Sequence, residues 1–299
     1  MPPICILCRS NPPIEGSHVV PNFVIKRLKR GSPVGTLIHS DKLNKTFQDG
    51  WKGKYLCSDC ELLFCKVEDW FCKTVFDPFQ NKSLNKFQYG DGLGMFTASL
   101  FFRYIHLLAE KNPTKPLTVD LLAISENLRT ALLAKAPASI TSTMYMDFLL
   151  PVTSIDHFPP GINTYFFESI DGKAFDFKPP NFSFWVIYLK LPGMFFLLAG
   201  HDLAPFAPYP EPMNAQKIGV TGTMEAVHRP AGVSVLVADI FKARALEIQT
   251  NYDKLPQERN DKIAAKIKGA SLIPNSRAER SYLLDMSLVL EREKRQSEG

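Results

Sequence analysis

At 299 residues, 45% hydrophobic and 22% charged, the chain has the composition of a folded globular protein with room for one or two domains, which excludes a disordered or fibrous polypeptide. Its net charge of +5 is concentrated: residues 1–60 hold nine Lys/Arg against four Asp/Glu, and the remainder carries 26 of each sign. A local basic field of this kind favours a polyanionic partner, most simply nucleic acid, over a merely solvated basic face.

The chain opens with the pair Cys5 and Cys8, and Cys5 falls where the apolar core of a secretory leader would have to lie. The same C-x-x-C spacing returns at Cys57 and Cys60. Four thiolates so spaced can close a tetrahedral structural zinc site, a reading that a leaderless chain of this length favours over disulfides and that implies a reducing cytoplasm. A site closed by four sulfurs has no open position for water, so this zinc is expected to hold structure rather than do chemistry.

Between the two pairs, "EGSHVVP" carries a single histidine, His18, ahead of "PNFVIKRLKR". From Pro21 to Arg30 the apolar Phe23, Val24 and Leu28 fall on one helical face, and Lys26, Arg27, Lys29 and Arg30 make a basic surface. Turn formers and short apolar runs then suggest a hairpin-like region before Cys57, with Lys52 and Lys54 adding to the basic surface. After Cys60, Leu63, Val67, Trp70, Phe71 and Val75 recur at helical intervals, and a second apolar helix covers Met95–Leu108. Cys65 and Cys72, seven residues apart on one helical face, read as buried small hydrophobes rather than extra ligands.

The segment "EKNPTKP" is a charged, proline-containing linker, and the expected boundary lies at residues 112–116. It separates a zinc-bound domain with helical extension, 1–113, from a larger mixed α+β domain, 114–299. In the second part a helix is expected over Leu117–Ala136, and strands over Met144–Leu150, Thr164–Glu168, Phe182–Leu189, Met194–Ala199 and Val233–Val237. Helices follow over Asp239–Asn251, Gln257–Lys268 and Arg277–Arg295. The most apolar run, "FSFWVIYLKLPGMFFLLAG", is broken in its middle by Lys190, Pro192 and Gly193, so it reads as two buried strands and a tight turn, not a membrane span. His201–Asp202 and His228–Arg229 lack any spacing that ties them to chemistry and read as loop residues.

A neutral imidazole at His18 could take a proton from water near pH 7. For phosphodiester chemistry it would need a second, oxygen-ligated ion to hold the phosphate. Asp49 in "FQDG", Glu61 directly after the second cysteine pair, and Glu68 are the candidate ligands. Glu61 and Glu68, seven apart, share a helix face.

Together, "CILC…EGSHVVP…YLCSDCE" resembles the treble-clef, ββα-metal module of the HNH nucleases. The stretch from Ser32 to Glu61, with "VEDWF", is similar to uncharacterised bacterial HNH-like proteins with an SH-x-x-P motif. The resemblance covers residues 1 to about 80. It implies an endonuclease acting on nucleic acid, DNA foremost, with structural Zn²⁺ on Cys5, Cys8, Cys57 and Cys60. His18 would be the general base, and Mg²⁺ or Mn²⁺ would sit near Asp49, Glu61 or Glu68. It also implies bacterial anti-phage defence as the setting. The sequence departs from the family in having Ser17 before the histidine and Glu61 where Asn or His is usual. Two alternatives stand beside this reading: a non-catalytic zinc-stabilised module gripping nucleic acid through the basic helix, and a protein-interaction subunit of a defence complex.

Overall fold

In the computed structural model the chain is described at residues 3–32, 37–39, 42–114, 116–149, 166, 168–177, 184–200, 216–226, 235–254 and 256–258, and at single positions beyond. The architecture is the mixed α+β one expected. Strand β1 (Ser17–His18) leads to helix α1 (Asn22–Gly31), whose Val24 and Ile25 are buried. A hairpin of β2 (Leu37–His39) and β3 (Lys42–Phe47) follows, and β4 (Lys52–Gly53) returns antiparallel beside β1. Helix α2 (Ser58–Phe71) begins directly on Cys57 and runs into a π-turn at Cys72–Phe76 and the short α3 (Asp77–Gln80). The helices expected on either side of the hairpin-like region, and that region itself, are therefore present.

Cys65 is exposed and Cys72 half-buried, which corrects the expectation that both are core residues. The π-turn supplies the physical reason at Cys72, because a wider turn rotates the helix face there away from the heptad spacing that groups the two.

Helix α4 (Asp91–Lys111) is the centre of the molecule. Every residue from Leu93 to Ile105 is buried, as befits a helix that is apolar all round. It is the one helix among the described residues long and apolar enough to cross a membrane, and most of that apolar stretch is covered by protein. Helix α5 (Pro116–Ala134) packs against it.

A five-stranded antiparallel sheet covers another side of α4. Its strands are β6 (Thr143–Phe148), β7 (Asp171–Phe177), β8 (Phe184–Leu191), β9 (Met194–Ala199) and β10 (Gln216–Lys217), in the order β10-β6-β9-β8-β7. The apolar run is the β8–β9 hairpin, with Leu191 opposite Met194 and Gly193 at φ +71, a left-handed value natural to glycine. Alternation along these strands makes two faces. Phe196 meets Phe71 and Phe96 at 6.1 Å each, and those two rings stack at 3.7 Å. On the opposite face Tyr188 and Phe195 meet Phe241 of helix α6 (Val235–Asp253).

The core continues across residues 112–116. One hydrophobic cluster contains Cys5 and Val24 as well as Phe196, Leu198 and Met224. The short strand β5 (Lys86–Tyr89) pairs with β11 (Gly222–Glu225), joining the two sides of that junction. The tip of the β8–β9 hairpin reaches back as well, where Gln80 Nε2 donates to Pro192 O at 2.7 Å.

Two expected strands are corrected. Val235–Val237 open helix α6 instead of forming a strand, because Ile240, Phe241, Arg244 and Ala245 make a helical stripe buried against the sheet and tertiary burial overrides the β-branched preference. Within Thr164–Glu168, the described Phe166 is helical and Glu168 lies in a turn, neither in a strand. Five real strands among the described residues escaped notice, and three of them, β1, β10 and β11, are only two to four residues long. β7 starts "DGK", which reads as a turn, and β5 is only four residues long. The helices expected over Gln257–Lys268 and Arg277–Arg295, and the pairs His201–Asp202 and His228–Arg229, lie largely or wholly outside the described residues.

Candidate metal centre and the histidine beside it

The first cysteine pair sits on a tight loop. Arg9 N–H donates to Cys5 O (3.0 Å) and Cys5 N–H to Asn11 O (2.8 Å), folding the chain back on itself with Arg9 at φ 58. That left-handed value costs a non-glycine residue about 1–2 kcal/mol. The loop is bolted to the strand leading into Cys57, since Ile6 N–H donates to Tyr55 O and Ile14 N–H to Leu56 O. It is also bolted to α5, where Arg129 donates to Leu7 O at 3.0 Å and Arg9 meets Glu126. The second pair needs no loop, because Cys57 caps α2 and Cys60 lies in its first turn. The positive end of that helix favours thiolates.

The four sulfurs of Cys5, Cys8, Cys57 and Cys60 lie within 4.8 Å of one another, three of the four residues buried. Zn–S bonds of about 2.3 Å make a tetrahedron whose edges are about 3.8 Å. Cys8 and Cys57 are 3.7 Å apart, and none of the six cysteines forms a disulfide. Burial pushes the Cys5 and Cys60 thiols up. Against its own burial, Cys8 is brought down to about 6 by backbone N–H groups of Asn11 and Ser10 and by its cysteine neighbours. Four convergent sulfurs with backbone donors around them fit a closed zinc site, so the residues expected to bind a metal do come together.

His18 stands across the β1–β4 ladder from Lys52. Its Nε2 is 2.9 Å from Asp49 Oδ1, and Asp49 Oδ2 accepts from Lys52 Nζ at 3.0 Å. Burial opposes ionisation of Asp49, yet hydrogen bonds from His18, Lys52 and the Gly50 N–H hold its carboxyl down at about 2. Gly50 lets this turn lie against α1, for a Cβ there would run into Ile25. The His18 and Asp49 side chains remain 22% and 33% exposed, so water reaches the pair. An ionised Asp49 only accepts; the imidazole proton therefore lies on Nε2 in the neutral ring and the free lone pair on Nδ1.

The two candidate acids of α2, Glu61 and Glu68, are engaged elsewhere. Glu61 accepts from the Ser17 hydroxyl, and Glu68 lies 2.7 Å from Arg103 Nη2. Among the described residues, His18, Asp49, Glu61 and Glu68 do not converge into a second metal-ligand group of the kind the cysteines make. Sequence reasoning missed Arg103, which lies in the middle of an apolar helix 85 residues after His18 and yet donates to the His18 carbonyl. A lone arginine inside "SLFFRYIHLL" was the available signal.

The basic residues divide into two sets. Lys26 and Arg30 are exposed and have no hydrogen bond or ion pair among the described residues. Lys29 donates to Gln48 O (2.9 Å), and Arg27 approaches Gln80 O at 3.5 Å. Lys52 pairs with Asp49, and Lys54 with Glu15 at 2.7 Å.

No protein-family model matches the chain, and neither the curated proteins nor the solved structures hold a match to it.

Proposed function

We propose that the protein is a zinc-stabilised, HNH-like endonuclease in which His18 acts as general base on a nucleic-acid phosphodiester, DNA foremost. The observation that carries this reading is the His18–Asp49 pair, 2.9 Å apart and open to water, beside a four-cysteine cluster and the basic helix α1. The order cysteine loop, β1, β4 and α2 with the second cysteine pair at its start suits a treble-clef module. Asp49 holds the imidazole in one tautomer, and Nδ1 accepts the proton of an attacking water. Lys26 and Arg30 offer phosphate contacts. Such contacts strengthen binding on any sequence and weaken steeply with salt. The catalytic Mg²⁺ or Mn²⁺ that the resemblance implies would have to arrive with the substrate phosphate, because Asp49, Glu61 and Glu68 do not make a ligand set of their own. Anti-phage defence rests on the resemblance alone.

A second reading has an observation in its favour. With Glu61 and Glu68 both engaged and Asp49 held by His18 and Lys52, the module could grip nucleic acid, or a protein partner, without cutting. Incubating the purified, zinc-loaded chain with supercoiled DNA or with RNA, plus Mg²⁺ or Mn²⁺, decides between them. Cleavage is expected, and His18→Ala should lower it by about 10²–10⁴-fold while zinc content and gel retardation persist. Retardation without cleavage under either ion moves the assignment to the binding module, and loss of both to the protein-interaction subunit.

A further inference from the structure

Arg103 is 1% exposed and sits in a helix buried on every side from Leu93 to Ile105. Burying a guanidinium there costs several kcal/mol, and a well-packed hydrophobic side chain commonly serves stability better. What it touches is therefore informative. Nε donates to Ser99 O one turn back (3.1 Å), and Nη1 donates to the backbone carbonyl of His18 at 2.9 Å. Nη2 lies 2.7 Å from Glu68 Oε1, and the guanidinium sits 5.1 Å from the centroid of the Phe64 ring. A planar fork reaches α4, β1 and α2 at once, which a lysine cannot do.

We propose that the buried Arg103–Glu68 pair is a positioning clamp for His18, and that Glu68 serves this clamp rather than a metal. The inference rests on the reading of His18 as the reactive group. Successive residues of a strand point to opposite faces. Ser17 turns inward, fully buried, and donates to Glu61, while His18 turns outward to Asp49. The same face of α2 thus braces two consecutive residues of β1, Glu61 through the Ser17 side chain and Glu68 through Arg103 and the His18 carbonyl. With Asp49 as the ring's one hydrogen-bond partner among the described residues, the aim of the imidazole depends on how firmly its backbone is held. Beyond their ion pair, Glu68 Oε1 and Arg103 Nη2 have no hydrogen-bond partner among the described residues, so withdrawing the carboxylate to a metal would leave a buried cation without its counter-charge.

The test uses the full zinc-loaded chain, labelled for observation of the His18 Nε2–H proton and the His18 carbonyl ¹³C shift at fixed pH, with His18→Ala to assign the ring signal. Glu68→Gln and Arg103→Lys should keep one zinc per chain yet shift or broaden both His18 signals. Cleavage at saturating Mg²⁺ should fall on the order of 10²-fold, as expected for a misplaced reacting group, with the half-saturating Mg²⁺ concentration unchanged. Glu68→Gln keeps the shape and an acceptor, so it carries the test if Arg103→Lys fails to fold. Unchanged His18 signals with a tenfold higher Mg²⁺ requirement would make Glu68 a metal ligand and overturn the clamp. A lower melting temperature with unchanged His18 signals would make the pair merely structural and overturn it as well. If the wild-type chain cleaves nothing, the nuclease reading fails, while the two resonances still report on the clamp.

Discussion

Two regions of this protein bury charge, and they do so to different ends. Beneath α6, Arg244 holds Asp171 through three hydrogen bonds of 2.6–3.2 Å and Glu247 through another, with both members of the main pair less than 10% exposed. Lys190, wholly enclosed, gives its protons to Phe166 O, Ser169 O and the Ser169 hydroxyl. Every one of these cations is met by acceptors inside the fold, and water is kept away. Beside the cysteine cluster, His18 and Asp49 are joined just as closely but stay partly open, with an imidazole nitrogen uncommitted among the described residues. Perturbed ionisation is common to both regions: Lys190 is driven down to about 7 by burial, and Asp49 down to about 2 by its partners. The comparison teaches that a shifted group points to chemistry only when a valence is left over and solvent can reach it.

The largest expected effect would sharpen the contrast in how the two regions are held. A structural zinc site contributes on the order of 10–16 kcal/mol of apparent binding free energy to folding. Cys57→Ser, or a strong chelator, should therefore release the metal and expose the amides of residues 5–60 to hydrogen exchange ahead of those in β8 and β9. Uniform protection after complete metal loss would show that the α4 core alone maintains the N-terminal module.

The next effect probes the closed region. Arg244→Ala should cost about 3–5 kcal/mol by leaving Asp171 buried without its partner, measured by urea denaturation. The double change Asp171→Leu with Arg244→Met should recover most of that loss, because the desolvation of both charges disappears together. The cleavage proposed above should, per folded molecule, be untouched in both variants. If activity falls while folding is intact, the α6 face belongs to the functional site and the comparison breaks.

The smallest effect, taken per pH unit, is a pH dependence. Lys190 titrates at about 7 when folded and about 10.4 when unfolded, so across that interval the unfolded chain binds the extra proton. Stability should rise with pH from about 7 towards 10, by at most about 1.4 kcal/mol per pH unit. Above about 10 the trend should reverse, since burial raises Tyr104 and Tyr188 in the folded chain while unfolded tyrosines ionise. Lys190→Met should flatten the rising limb. A rise of the same slope in that variant would locate the titrating group elsewhere.

Much of this architecture was legible in the order of the residues. The C-x-x-C pairs announced a four-sulfur site because ligand spacing within each pair is local, and α1, α4, α5 and the β8–β9 hairpin followed from periodicity, proline and glycine. Local pattern failed where burial decided: Val235–Val237 turned helical to complete a stripe against the sheet, and β5 became a strand because β11, more than 130 residues later, offers it an edge. At the site, the sequence by itself determined the donors, namely four thiols, one imidazole and a set of acids. Only the tertiary structure decided which acid meets which partner. Asp49 went to His18, Glu61 to Ser17 and Glu68 to Arg103, because the packing of α2 between β1 and α4 sets distances that no spacing along a chain encodes.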